Sequence, residues 1–180
     1  MSHGDEEDPS FYDITRIDTN EYWIGGKNGS LISIDTNERM TPVQYPGTGA
    51  HILKIASFSN DKVIMAADQG TLYLHDRTSG AWQVIKVPGY ENRTFYSLQI
   101  IDSATAFIAG GASSVSFGKI GIPHGFILMT RDGGETWEEV YRHSLFMIWE
   151  LNYNTEEHRL YASLYSPLGS RILYTSVETR

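Results

Sequence analysis

The chain contains no cysteine, so no disulfide framework holds it and no thiolate zinc site is available to it. That fits a reducing compartment without requiring one. No apolar run approaches the roughly 18–20 residues that a membrane-spanning helix needs. Positive charge is scarce: 14 Lys and Arg stand against 22 Asp and Glu, for a formal net charge of −8. This balance argues against a nucleic-acid partner, because phosphate contacts demand a basic face. It argues against an anionic membrane surface for the same reason, and leaves a neutral sugar or a protein open. Residues 1–10 are acidic and lack a hydrophobic stretch, so no secretory signal is read there. Charge without apolar side chains cannot offset the entropy of ordering, and this leader is expected to be disordered. There is no phosphate-binding glycine loop, no nucleophile elbow and no HExxH pair.

What the chain does have is glycine, 17 residues, and tyrosine, 11 residues, a balance that suits many short strands joined by tight turns. It also repeats itself. Phe11-Tyr12-x-Ile14-x-x-Ile17-Asp18 recurs 84 positions later as Phe95-Tyr96-x-Leu98-x-x-Ile101-Asp102. Trp23-Ile24-x-Gly26 recurs as Phe107-Ile108-x-Gly110 at the same offset. Half of that offset is about 42, inside the span of one propeller blade, roughly 40–50 residues. The halfway copy is present: Gly29, Leu31 and Asp35 fall on Gly70, Leu72 and Asp76. Each unit reads as four short strands separated by turns. The sequence therefore predicts an all-β, β-propeller-like array of about four four-stranded antiparallel blades over residues 11–180, at about 11–46, 51–89, 94–143 and 146–180. The last unit lacks a fourth strand before Arg180.

One turn is spelled out in full. Thr130-Arg131-Asp132-Gly133-Gly134-Glu135-Thr136-Trp137 lies between two apolar runs. Its glycines allow positive φ, Asp132 can accept backbone N–H groups as in an Asx-turn, and Trp137 can cover the hairpin base. Thr130, Asp132, Gly134, Thr136 and Trp137 match the Asp-box, Ser/Thr-x-Asp-x-Gly-x-Thr-Trp. The chain thus resembles the Asp-box, or BNR-repeat, propellers. These include sialidases, other propeller glycoside hydrolases, sortilin-like receptors and photosystem II assembly factors. In those families the box is a structural turn. The resemblance implies an extracytoplasmic location with any signal removed; the residues themselves leave the compartment unknown. It also implies that ligands use the opposite side of the disc, where the second-to-third turns and the blade-to-blade links lie.

On that side the candidate ligand-binding residues are His51, Tyr90, Glu91, Arg93, Lys119, His124, Arg142 and His143. Aromatic rings stack on apolar faces and arginine forks onto anions, although each residue alone also fits a solvated loop. The third unit carries an insert near 111–125, read either as a binding loop or as an extended hairpin covering a neighbour. The histidines are scattered rather than spaced as ligands, so no metal and no other cofactor is expected. A glycosidase needs two carboxylates flanking the scissile bond, and nothing in the sequence pairs Asp68, Glu91 or Glu150. The sequence reading is a non-catalytic binding or assembly scaffold for a carbohydrate or protein. A fragment of a propeller glycoside hydrolase and a structural module of a larger surface protein are the alternatives. An unclosed array exposes apolar blade faces. That leaves part of a larger propeller, a homo-oligomer joined through those faces, or a compact four-bladed ring.

Overall fold

The computed structural model describes residues 10–47, 49–112, 115–116, 119–120 and 123–177. The disorder expected of residues 1–9 falls outside them. Ser10, counted with that leader in the sequence reading, is anchored instead: its carbonyl accepts the Lys27 N–H at 2.8 Å. Four antiparallel sheets follow one another along the chain. The first is β1 (Phe11–Arg16), β2 (Glu21–Gly26), β3 (Leu31–Asp35) and β4 (Met40–Pro42). The second is β5 (Ile52–Ser59), β6 (Lys62–Ala67), β7 (Thr71–Asp76) and β8 (Ala81–Lys86). The third is β9 (Thr94–Ile100), β10 (Ala106–Ala112), β13 (His124–Thr130) and β14 (Glu138–His143). The fourth has three strands, β15 (Met147–Asn154), β16 (Arg159–Ser166) and β17 (Gly169–Ser176). Within the β10–β13 connection, β11 (Val115–Ser116) pairs with β12 (Lys119–Ile120) as a separate two-stranded ribbon. A 3-10 turn at Lys27–Gly29 is the only helix among the described residues, and none is long and apolar enough to cross a membrane.

The sheets stack face to face because the central strands are apolar on both sides. β6 reads Val63-Ile64-Met65-Ala66-Ala67, all fully buried, the pattern of a strand covered on both faces. Val63, Met65 and Ala67 join Trp23 and Ile52 between the first and second sheets. Ile64 and Ala66 join Phe95, Ile108 and Leu128 between the second and third. Phe107, Ala109 and Ile127 meet Ile148, Leu160 and Leu164 between the third and fourth. The first strands pack in succession, β1 on β5, β5 on β9 and β9 on β15, so they lie innermost, nearest a common axis. This is the arrangement of propeller blades. Gly125 shows how close the blades come: a Cβ there would sit 2.5 Å from the Phe146 carbonyl and 2.9 Å from the Ile148 nitrogen. The far faces of the first and fourth blades stay open, with Ile14 61 % and Ile172 75 % exposed.

β4 ends at Pro42, and one further contact to β3 follows it, from the Val43 N–H to the Leu31 carbonyl at 3.0 Å. β14 starts two residues after Thr136, because that residue is consumed by the turn. There Asp132 accepts the N–H groups of Glu135 and Thr136 at 3.0 and 2.9 Å and the hydroxyls of Thr136 and Thr130 at 2.5 and 2.7 Å. Gly133 and Gly134 take φ of 72° and 95°, and Trp137 donates its indole N–H to the Gly134 carbonyl at 3.0 Å. Asp76 and Asp35 organise the equivalent turns of the second and first blades, each accepting two backbone N–H groups.

Burial alone would raise the Asp132 pKa, but the hydrogen bonds from Thr136, Thr130 and Glu135 outweigh it and hold the group at about 2. A folded pKa below the ordinary value means stability that is present above about pH 4 and lost as the pH falls toward 2. Asp132→Ala should therefore lower stability by about 1–3 kcal/mol at neutral pH, and its urea midpoint should vary less than that of the parent between pH 4 and 2. Identical pH profiles would remove the turn from the stability of the third blade.

Candidate ligand-binding site

The inner strands share a device that is not visible in the hydrophobic pattern. Each of the four carries an extra residue against its partner near its start, and β5 carries a second, Phe58, near its end. In β1 the extra residue is Tyr12, between the pairs Phe11–Gly26 and Asp13–Gly25. In β5, β9 and β15 it is Leu53, Tyr96 and Trp149. Such a bulge bends the strand and re-aims its side chains. The positions that follow are Asp13, Lys54, Ser97 and Glu150. Two of them clamp the backbone of the next blade. Asp13 accepts the Ile55 N–H at 2.7 Å, and Ser97 Oγ accepts the Leu151 N–H at 2.9 Å.

The same positions create polar and aromatic chemistry along the axis. Ser97 donates to Glu150 at 2.7 Å, and Lys54 reaches past the third blade to pair with Glu150 at 3.4 Å. A side chain can connect the second and fourth blades this way only along the inner surface. Beside this pair the Tyr96 and Trp149 rings stack, with centroids 4.6 Å apart and planes 20° apart. Trp149 is 50 % exposed. It borders a depression of about 640 Å³ shared with Tyr165, Arg171 and Ile172. An open aromatic platform next to a cation and a carboxylate suits a ligand with flat or apolar surface and hydrogen-bonding groups.

The residues singled out from the sequence come together only in part. Tyr90 and Arg142 meet: the guanidinium donates to the Tyr90 hydroxyl at 3.3 Å and to both Glu139 oxygens at 2.9 and 2.5 Å, while Tyr90 also donates to Glu139. Burial and the neighbouring Glu139 carboxylate push the Tyr90 phenol up to about 12. The Arg142 guanidinium in turn holds Glu139 below its ordinary value. This trio is saturated by its own members. Glu91 caps its own link through Gly89 N–H at 3.0 Å. Arg93 contributes backbone, its carbonyl accepting the Gly70 N–H at 2.8 Å. His51 ties two turns together, accepting the Asn28 N–H on Nδ1 at 3.0 Å and donating its own N–H to Asp68 at 2.9 Å. His143 accepts the Leu145 N–H at 3.1 Å and meets Phe146 edge-on. His124 opens β13, with its Nδ1 buried and unpartnered among the described residues. Lys119 lies on the β11–β12 ribbon, and its side chain falls outside the described residues. Among the described residues, no three His, Asp or Glu side chains converge as a metal site would.

Tyr96, Trp149, Lys54, Ser97 and Glu150 were missed as a group. The recurring Phe-Tyr pairs at 11–12 and 95–96 marked the place, but read as repeat punctuation. No protein-family model matches the chain, and no curated protein matches it by sequence. Solved structures do. YCF48 from Cyanidioschyzon merolae is 13 % identical over 92 % of this chain and 50 % of its own, with a TM-score of 0.64. YCF48 bound to D1 peptide is 15 % identical over 88 % and 52 %, with a TM-score of 0.62. This chain has the β-propeller fold. Oligogalacturonate lyase from Vibrio parahaemolyticus shares it at 10 % identity over 89 % and 48 %, with a TM-score of 0.63. The propeller described here spans about half the length of these three structures.

The inner-strand contacts rank themselves by exposure. Ser97 is fully buried and serves two partners, so Ser97→Ala should cost about 1–3 kcal/mol. The Lys54–Glu150 pair is partly solvated, and Lys54→Met should cost less than about 1 kcal/mol. Equal losses in urea denaturation would contradict this ranking.

Proposed function

We propose that this chain is a non-catalytic binding scaffold of the Asp-box propeller type, and that its ligand is an extended protein segment lying across the inner-strand bulges. The stacked, half-open Tyr96–Trp149 platform beside Lys54 and Glu150 carries the reading. A peptide offers what this surface asks for: apolar side chains for the rings, and backbone amides for the carboxylate and ammonium. Aromatic anchors in such settings dominate binding energy. A protein of the same fold, YCF48, is known bound to a D1 peptide, which supports a peptide ahead of a sugar. The Asp-box reading is supported by Thr130, Asp132, Gly134, Thr136 and Trp137, which hydrogen-bond among themselves to close the turn. The exposed faces of the end blades support assembly with other blades.

A glycoside hydrolase is the second reading, since aromatic platforms also hold sugars. Its general acid must keep a proton near neutral pH, which takes a raised carboxyl pKa. Among the described residues, every carboxylate whose pKa is displaced lies below its ordinary value: Asp18, Asp76, Glu91, Asp102, Asp132 and Glu139.

A peptide array followed by calorimetry tests the scaffold. Selected peptides should bind the parent, and Trp149→Ala or Tyr96→Ala should weaken them at least about tenfold, the cost of an anchor worth about 1.4 kcal/mol or more. Glycan arrays and fluorogenic glycosides run alongside. Retention of glycans without peptides would replace protein by carbohydrate. Turnover that Glu150→Gln abolishes would make the protein an enzyme.

A further inference from the structure

The structure assigns a docking edge to the third blade: the axis-facing N–H groups of Leu98 and Ile100 on β9 take two backbone carbonyls of an extended peptide. This rests on the peptide reading above. It adds where that segment pairs, and in what register to the aromatic platform.

The inner strand of each blade is an edge of its sheet, so every second N–H turns away from the ladder. Ile101 donates to the Thr105 carbonyl at 2.9 Å, and the register then makes Gln99–Phe107 and Ser97–Ala109 the hydrogen-bonded pairs. Leu98 and Ile100 alternate with them, so their N–H groups point away from β10.

The sister positions show what such donors require. In the second blade Ile55 gives its N–H to Asp13 at 2.7 Å. In the fourth, Leu151 gives its N–H to Ser97 Oγ at 2.9 Å, and Tyr153 gives its own to Gln99 Oε1 at 3.4 Å. Each acceptor comes from the inner strand of the preceding blade, one or three residues after the bulge. The second blade has Lys54 and Ala56 in those two places. A lysine side chain carries only donors, and alanine has no polar group. The seam between the second and third blades therefore faces Leu98 and Ile100 with no side-chain acceptor at either clamp position.

The charge balance selects the kind of oxygen that fits. Lys54 already matches Glu150, and its ammonium, with three donors, uses one of them there. The seam thus lacks a neutral acceptor, which a peptide carbonyl is. Donors two residues apart on a strand are about 7 Å apart, the same repeat as alternate carbonyls of an adjoining strand. Strand addition to a sheet edge uses this pairing. Tyr96 stands two residues before Leu98, so a peptide paired here carries its neighbouring residues onto the Tyr96 and Trp149 rings.

Amide hydrogen exchange followed by NMR tests this on the whole chain. In the free protein Leu98 and Ile100 should exchange at least about tenfold faster than Ile55 and Leu151. The probe is the tightest peptide from the array, acetylated and amidated at its ends. At saturation it should slow Leu98 and Ile100 at least about tenfold. Leu98→Pro deletes one N–H at an edge position that tolerates proline, and should weaken the probe about three- to tenfold. Leu98→Ala keeps the N–H and should bind the probe as the parent does. Circular dichroism checks that both variants fold, and the exchange rates need neither. Free-protein rates for Leu98 as slow as those of Leu151 would overturn the proposal. So would protection that appears only when the same peptide ends in a free carboxylate, which makes the acceptor an anion. A probe that binds, depends on Trp149 and leaves both amides unchanged overturns this edge and keeps the scaffold. Failure of every array peptide to bind removes both.

Discussion

A sheet that is apolar on both faces must have a neighbour on each side, and every other property of this chain follows from that constraint. The second and third blades satisfy it completely. Their central strands alternate side chains between two different cores, so Val63 and Ile64 are neighbours in sequence yet belong to separate clusters. Burial on both faces lets a sheet about four strands wide reach full packing without any helix. It also makes the two end blades unlike the middle ones, since each has satisfied only half of its demand.

Inside that stack the inner strands carry the individuality of the molecule. The bulge is the same in all four, but what stands on it differs: Tyr12, Leu53, Tyr96 and Trp149, followed by Asp13, Lys54, Ser97 and Glu150. The scaffold is thus repetitive where it packs and varied where it lines the axis. Lys54 illustrates the division. A lysine cannot accept a backbone N–H, so it serves no clamp at its own seam, and it crosses to Glu150 instead.

The strands were legible because the repeat and the alternation of apolar residues point to the same fold. The Thr130–Trp137 turn was legible because its central chemistry is local: every hydrogen-bond partner of the Asp132 carboxylate lies inside the eight residues, while the Gly133 N–H reaches out to the Ala104 carbonyl. The site was legible only in outline. Tyr90 and Arg142 were grouped by their loops, yet Glu139 escaped, because strand alternation puts residues three apart on opposite faces. An extra residue at Val140, between the pairs Ile127–Tyr141 and Leu128–Glu139, resets that count and brings Glu139 under Arg142. The Tyr96–Trp149 platform was hidden in the same way. Bulges break the period on which pattern reading depends, and they occur where this chain presents its chemistry.

The contact at Gly125 reaches beyond its own neighbourhood. With only hydrogen on that Cα, the backbone of β15 presses directly against β13. The wedge angle between successive sheets is fixed partly at such bare seams. A circle divided by a wider wedge holds fewer sectors, and by a narrower one, more. The number of sheets that can surround the axis is therefore written partly in where this sequence omits a side chain.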